Sequence, residues 1–167
     1  MYRVRLTHAH THKPIVQRRS IHLTRALFNE KAASPSFNTK SVAEQLNLSP
    51  NVLTQALTHK SFKHGKVPSN ERLHYVGRRS LEFFALEANM NKKNVDELKN
   101  AIVKVSEPAY LAGKFDALGL EAGVQCHLPQ DVISPAVKAK TLEAIVGAVY
   151  HECGLNAAKE FVKKNVL

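Results

Sequence analysis

Residues 70–84, Asn-Glu-Arg-Leu-His-Tyr-Val-Gly-Arg-Arg-Ser-Leu-Glu-Phe-Phe, restrict the fold more than any other stretch. Leu73, Val76, Leu81 and Phe84 recur at the spacing of one helix face turned towards a core. Glu71, His74 and Arg78 stand at i, i+3 and i+7, so the same helix gathers them on another face. Ser69 or Asn70 can accept from the free N–H groups at the start, and Glu71 suits the positive helix end. Upstream, Ala56-Leu57-Thr58-His59-Lys60-Ser61-Phe62 ends an earlier helix, and the Gly- and Pro-containing residues 63–69 form a loop.

The rest of the chain repeats the helical signal. Ser41-Val42-Ala43-Glu44 reads as a capping box. Ser49-Pro50 and Ser134-Pro135 each pair an N-cap with proline at the first helical position. Asn94 or Asp96 starts a helix whose apolar face is Val95, Leu98, Ile102 and Val105. Glu107-Pro108 opens the next, through Tyr110, Leu111 and Phe115, and Gly119 stops it. A strongly apolar helix carrying Ala139, Leu142, Ile145, Val146 and Val149 runs to about Cys153 and closes at Gly154. A last one covers residues 156–166. No alternating strand pattern of useful length occurs, so the expected class is all-α with about seven helices. No run reaches the length of a membrane-crossing helix. Cys126 and Cys153 are far apart and read as small buried apolar residues.

The run from Ala56 to Phe62, followed by Asn70 to Arg78, resembles the signature of ribonuclease III domains. Ala139-Lys140-Thr141-Leu142-Glu143-Ala144-Ile145-Val146-Gly147-Ala148-Val149-Tyr150 is similar to that family's second motif. The resemblance covers roughly residues 40–167 and implies a ribonuclease III endonuclease-domain-like helical fold. It also implies a dimer through the signature helix, where Tyr75, Phe83, Phe84 and Leu86 supply apolar surface for a partner; the rival reading places all four in the core. In the active family, four carboxylates bind Mg²⁺. Their positions here are His74, Arg78, Lys140 and Glu143, of which only Glu143 is acidic. Mg²⁺ requires oxygen ligands. The expectation is therefore no metal, no cofactor and no nuclease activity, with Glu71 paired to Arg78 or capping the helix and Glu143 neutralised by Lys140 or Arg78.

Formal net charge is +10, which favours a polyanionic partner. Lys60, Lys63, Lys66, Arg78, Arg79, Lys92 and Lys93 are the candidate RNA-binding residues, acting on phosphates rather than bases. Residues 1–28 hold six Lys/Arg, four His and no acid, while the remainder carries 18 Lys/Arg against all 14 Asp/Glu. An acid-free, Arg-containing start reads as a mitochondrial transit peptide. The expected layout is transit peptide 1–28, linker 29–38 and ribonuclease III-like domain 39–167. The resemblance extends to small fungal mitochondrial large-ribosomal-subunit proteins of this fold. It implies a structural constituent of that subunit, bound to its rRNA and to a second ribonuclease III-like protein. The alternatives are a mitochondrial RNA-processing factor or an active double-stranded-RNA endoribonuclease.

Overall fold

A computed structural model describes residues 29–128 and 132–167. The expected transit peptide, residues 1–28, lies outside them. Six α-helices are present among the described residues: α1 (Thr39–Gln45), α2 (Pro50–Leu57), α3 (Glu71–Ala88), α4 (Val95–Ser106), α5 (Pro108–Ala117) and α6 (Pro135–Asn165). Gly154, at φ 85° and ψ 179°, breaks α6 into two helical arms. That conformation is open to glycine and costly for other residues, which is why the apolar run and the Lys-rich terminal run separate there.

The caps explain where the elements begin. Ser49 Oγ accepts from Val52 N–H at the start of α2, Asn94 Oδ1 from Asp96 N–H at α4, and Ser134 Oγ from Val137 N–H at α6. At α1 the cap is Asn38, three residues ahead of the expected Ser41. Asn70 heads α3 but does not cap it with its side chain. Instead its buried amide donates to Ala56 O and its backbone N–H to Thr58 O. These bonds tie the end of α2 to the start of α3 across the loop.

Inside, α6 packs on α3, α5 and α2 around Leu53, Leu57, Leu81, Phe84, Leu111, Phe115, Leu142 and Ile145, all nearly inaccessible to solvent. The α3–α6 crossing is the tightest. A Cβ built on Gly77 would lie 1.7 Å from Glu143 O, and one on Gly147 would lie 2.0 Å from Leu73 O. The two backbones touch with no side chain between them. Lys138 Nζ adds ion pairs at 2.7 Å to Asp116 and 3.3 Å to Glu121, joining α6 to α5 and the residues after it.

The stretch expected as linker contains a strand. β1 (Asn29–Lys31) pairs antiparallel with β2 (Cys126–Leu128), Glu30 opposite His127. Lys31 Nζ donates to Glu121 O and Val124 O, and Ser34 N–H to Ala122 O. Two strands of three residues are too short to show an alternating pattern, and only the partner segment reveals them. Among the described residues no helix is long and apolar enough to cross a membrane.

Two glycine substitutions should separate crowding from helix propensity. Alanine for glycine in an open helix gains up to about 1 kcal/mol. At Gly147 the added methyl meets backbone, which cannot rotate away, so the cost falls at the upper end of the roughly 1–3 kcal/mol typical of overpacking. Gly147→Ala is therefore expected to destabilise by about 2 kcal/mol or more in urea unfolding. Gly113→Ala in α5, where a Cβ meets nothing within 4 Å, should leave stability equal or slightly raised.

Candidate functional site

The close crossing sets the site. Gly77 and Gly147 bring α3 and α6 together, and one turn away His74 and Glu143 face each other. His74 Nε2 lies 2.9 Å from Glu143 Oε2. Glu143 is 5% exposed, so its carboxylate depends on that contact. Lys140, one turn earlier on α6, stands on the same helix face as Glu143 and Gly147.

Next to this pair is a cavity of about 240 Å³ lined by His59, Lys60, Asn70, Glu71, His74, Tyr75 and Lys140. Glu71 is answered by Lys60, Nζ to Oε1 at 3.0 Å, and that hydrogen bond lowers its pKa. Lys140 is half-buried and makes no ion pair or hydrogen bond among the described residues. His59 takes a hydrogen bond at Nδ1 from Ser61 N–H at 3.3 Å, and Ser61 Oγ is 2.8 Å from the same nitrogen. Burial first, then the charges of Lys140 and Lys60, lowers the His59 pKa from its ordinary value, while Glu71 opposes them.

The expected pairings are corrected in each case. Glu71 pairs with Lys60 and not with Arg78. Glu143 pairs with His74 and not with Lys140 or Arg78. Arg78 turns outward, its Nε 3.2 Å from Glu82 Oε1, and Arg79 takes the other carboxylate oxygen at 2.7 Å. Glu82, four residues on along α3, is simply closer for a long exposed side chain than the crossing is. Three of the four positions therefore converge, and Arg78 does not.

The interface residues divide. Tyr75 (64% exposed) and Phe83 (54%) do stand out from α3, and Leu86 is half-buried. Phe84 is core, at 2%, because it shares the Leu73–Gly77–Leu81 face that meets α6. Val76, read from spacing as a core residue, is 40% exposed and extends the apolar stripe instead. Its place beside Tyr75 and seven residues before Phe83 was the available signal. Arg72 and Arg79 flank this stripe, with the Arg79 guanidinium 5.7 Å from the Tyr75 ring centre.

The candidate RNA-binding residues do not form one patch. Lys60, Lys63 and Lys66 lie in the loop before α3, and Lys92 and Lys93 beyond its other end. Eighteen helical residues span about 27 Å. In the loop, Lys63, His64 and Gly65 have φ of 47°, 54° and 73°. A left-handed backbone at two non-glycine residues costs roughly 1–2 kcal/mol each and turns these basic side chains outward.

A single profile decides the family. That of the family described as Ribonuclease-III-like matches residues 49–167.

The chain belongs to the ribonuclease-III-like family.

Ribonuclease 3 of Thermobifida fusca is 31% identical over 132 residues, covering 71% of this chain and 53% of that protein. Ribonuclease 3 of Sulfurovum sp. is 34% identical over 118 residues, covering 65% and 51%. The chain thus spans about half the length of the curated relatives it matches. Among solved structures, the nuclease domain of Campylobacter jejuni ribonuclease III superposes with a TM-score of 0.68 at 26% identity. It covers 77% of this chain and 96% of that one, and its region involved in dimer formation is described as flexible. A second crystal structure of the same domain gives 0.63. The helical architecture is that of a ribonuclease III nuclease domain.

These relatives overturn the expectation that the chain is not an enzyme. They carry the name of an endonuclease, and the solved neighbours are nuclease domains. The expectation read four side chains in isolation. His74, Arg78, Lys140 and Glu143 do not fit a divalent cation as a self-contained site. Among the described residues no group of three His, Cys, Asp or Glu could hold one. A magnesium ion, however, can rest on one or two carboxylates plus substrate phosphates, so a poor donor set in one chain does not settle activity.

His59 makes stability depend on pH. Its folded pKa is lowered, so the unfolded chain binds the proton more readily. Its effect is absent above the unfolded value of about 6.5 and destabilises as pH falls through 6.5 and below. The groups around it are Lys140, Lys60, Glu71 and His74. Urea unfolding from pH 7.5 to 5.5 should show a loss of stability that is smaller in His59→Gln.

Proposed function

We propose that the chain is an RNA-binding, dimer-forming ribonuclease III-type subunit of the mitochondrial large ribosomal subunit. It would pair through α3 with a second ribonuclease III-like protein. The observation that carries this is the exposed stripe Tyr75, Val76 and Phe83 flanked by Arg72 and Arg79. Large apolar side chains are normally withdrawn from water, and three together on one helix call for a covering surface. A homologous protomer offers such a helix, and a cavity of about 280 Å³ beside Val76, lined by Leu73, Val52 and Tyr150, adds relief for its side chains.

The net charge of +10 and the basic ends of α3 support an rRNA partner contacted through phosphates. The acid-free first 28 residues support mitochondrial import. The acid-free start together with non-acidic residues at three of the four positions His74, Arg78, Lys140 and Glu143 supports the ribosome as the destination.

A second reading is favoured by the names of the relatives: an endoribonuclease acting on double-stranded RNA. On that reading Glu143, oriented by His74, is the carboxylate that remains to receive a metal brought with the substrate. Incubation with double-stranded RNA and Mg²⁺, with and without the partner protein, decides it. Metal-dependent cleavage lost in Glu143→Ala is the expected result for an enzyme.

For the ribosomal reading, tagged protein should sediment with the large-subunit peak at moderate salt, and its absence from that peak refutes stoichiometric membership. Phe83→Asp, at an exposed position, should leave the fold intact and release the partner in co-purification. Retention of the partner by this variant would move the interface off α3.

A further inference from the structure

The cavity between α3, α6 and the end of α2 contains more positive charge than its own carboxylates answer. Lys60 meets Glu71 at 3.0 Å, and His74 meets Glu143 at 2.9 Å. Lys140 is left over, half-buried, at the wall of a 240 Å³ space. An ammonium withdrawn from water without a counter-charge is costly, and a cavity beside it gives room for one.

His59, which also lines the cavity, supplies a donor. His59 Nδ1 accepts from Ser61 N–H at 3.3 Å. Ser61 Oγ receives His127 N–H at 2.9 Å, which leaves its own hydrogen free to point at the same Nδ1, 2.8 Å away. A ring nitrogen that accepts carries no hydrogen, so the neutral ring carries it on Nε2. Burial and the neighbouring lysines favour that neutral form. No hydrogen-bond partner for Nε2–H occurs among the described residues. The cavity therefore offers one unmatched cation and one unmatched N–H, while Glu71 on its wall is engaged by Lys60 and Glu143 beside it by His74. A carbonyl-bearing or cationic ligand would leave Lys140 unanswered. An oxyanion satisfies both groups, because such charge-assisted bonds are among the stronger ones available.

We propose that this cavity binds a phosphate-class oxyanion between the Lys140 ammonium and the His59 Nε2–H. The anion is a backbone phosphate of RNA or a free phosphate, and the first of these rests on the RNA-binding reading above. Binding is a set of hydrogen bonds and charge contacts with no covalent step.

The test uses the full chain and two probes, inorganic phosphate and dimethyl phosphate, the second a model of the RNA diester. Long-range proton–nitrogen spectra follow the imidazole of His59, assigned by its loss in His59→Gln. Saturable movement of the His59 Nε2 resonance is expected. Lys140→Gln should weaken it about tenfold or more, the loss of one charged hydrogen bond. Lys99→Gln, which removes an exposed lysine paired with Asp96 on α4, should leave it unchanged. In parallel, binding of a hairpin RNA is measured against salt. If the ligand is RNA, Lys140→Gln lowers the slope of log K against log salt by about one. If only inorganic phosphate moves His59 and the RNA slope is unaltered, the site stands with the free ion as its ligand. If neither probe moves His59, or Lys140→Gln binds both like the parent, the proposal is overturned. That holds even where RNA binding itself is normal, so the two readings fail separately.

Discussion

Backbone contact between α3 and α6 at Gly77 and Gly147 is the constraint on which the structure turns. With a Cβ at either position the helices would have to separate, since the nearest atoms are carbonyl oxygens on the facing helix. Close approach does two things at once. It buries Leu81, Phe84, Leu142 and Ile145 on either side of the crossing. It also brings His74 and Glu143, each one turn from its glycine, to hydrogen-bonding distance. Packing and site geometry therefore share a cause, and a change that loosens the first will misplace the second.

The electrostatics follow from what that crossing encloses. Glu143 is buried deeply enough that an uncompensated charge would be expensive, and its ion-pair partner among the described residues is an imidazole on the facing helix. Glu71, at the exposed head of α3, needs no such partner and takes Lys60 from the loop. Arg78 is one turn beyond His74, yet a long flexible side chain reaches Glu82 along its own helix with less constraint than it would meet at the crossing. A set of four positions that looks like one cluster in the motif is thus a convergent trio with an outward-facing fourth member. The chain presents at this place a buried carboxylate, an imidazole that meets it and a half-buried ammonium.

Much of the fold was legible because its signals are local. Ser49-Pro50 and Ser134-Pro135 start helices where expected, Gly119 and Gly154 stop or break them, and the 3.6-residue spacing of Leu142, Ile145 and Val149 marks the buried helix. What was not legible depends on partners distant in sequence. β1 exists because residues 126–128 lie alongside it, and three residues alone carry no pattern. Asn70 looked like a cap by its position, but its amide is used to hold Ala56. Val76 was assigned to the core and Phe84 to both the core and the partner face, because a helix of 18 residues with apolar side chains on several sides offers several plausible faces. Only the position of α6 chooses among them. At the site, the pairings were not legible, since which carboxylate meets which cation is decided by tertiary distances.

His59 illustrates how a motif residue acquires its character from neighbours that the motif does not contain. In the sequence it is one of nine histidines, within a run that marks the family. In the structure its Nδ1 is fixed by Ser61, and Ser61 is in turn fixed by the backbone of His127 in β2. β2 is paired to β1, a strand drawn from the stretch that looked like linker. The small sheet thus supports the wall of the cavity from behind. Removing β1 would take away one support of β2, which Gln125 still ties to Leu57 and His59, without touching any residue of the two motifs. The functional unit is therefore larger than the motifs that identify it, and it includes the first segment of the described chain.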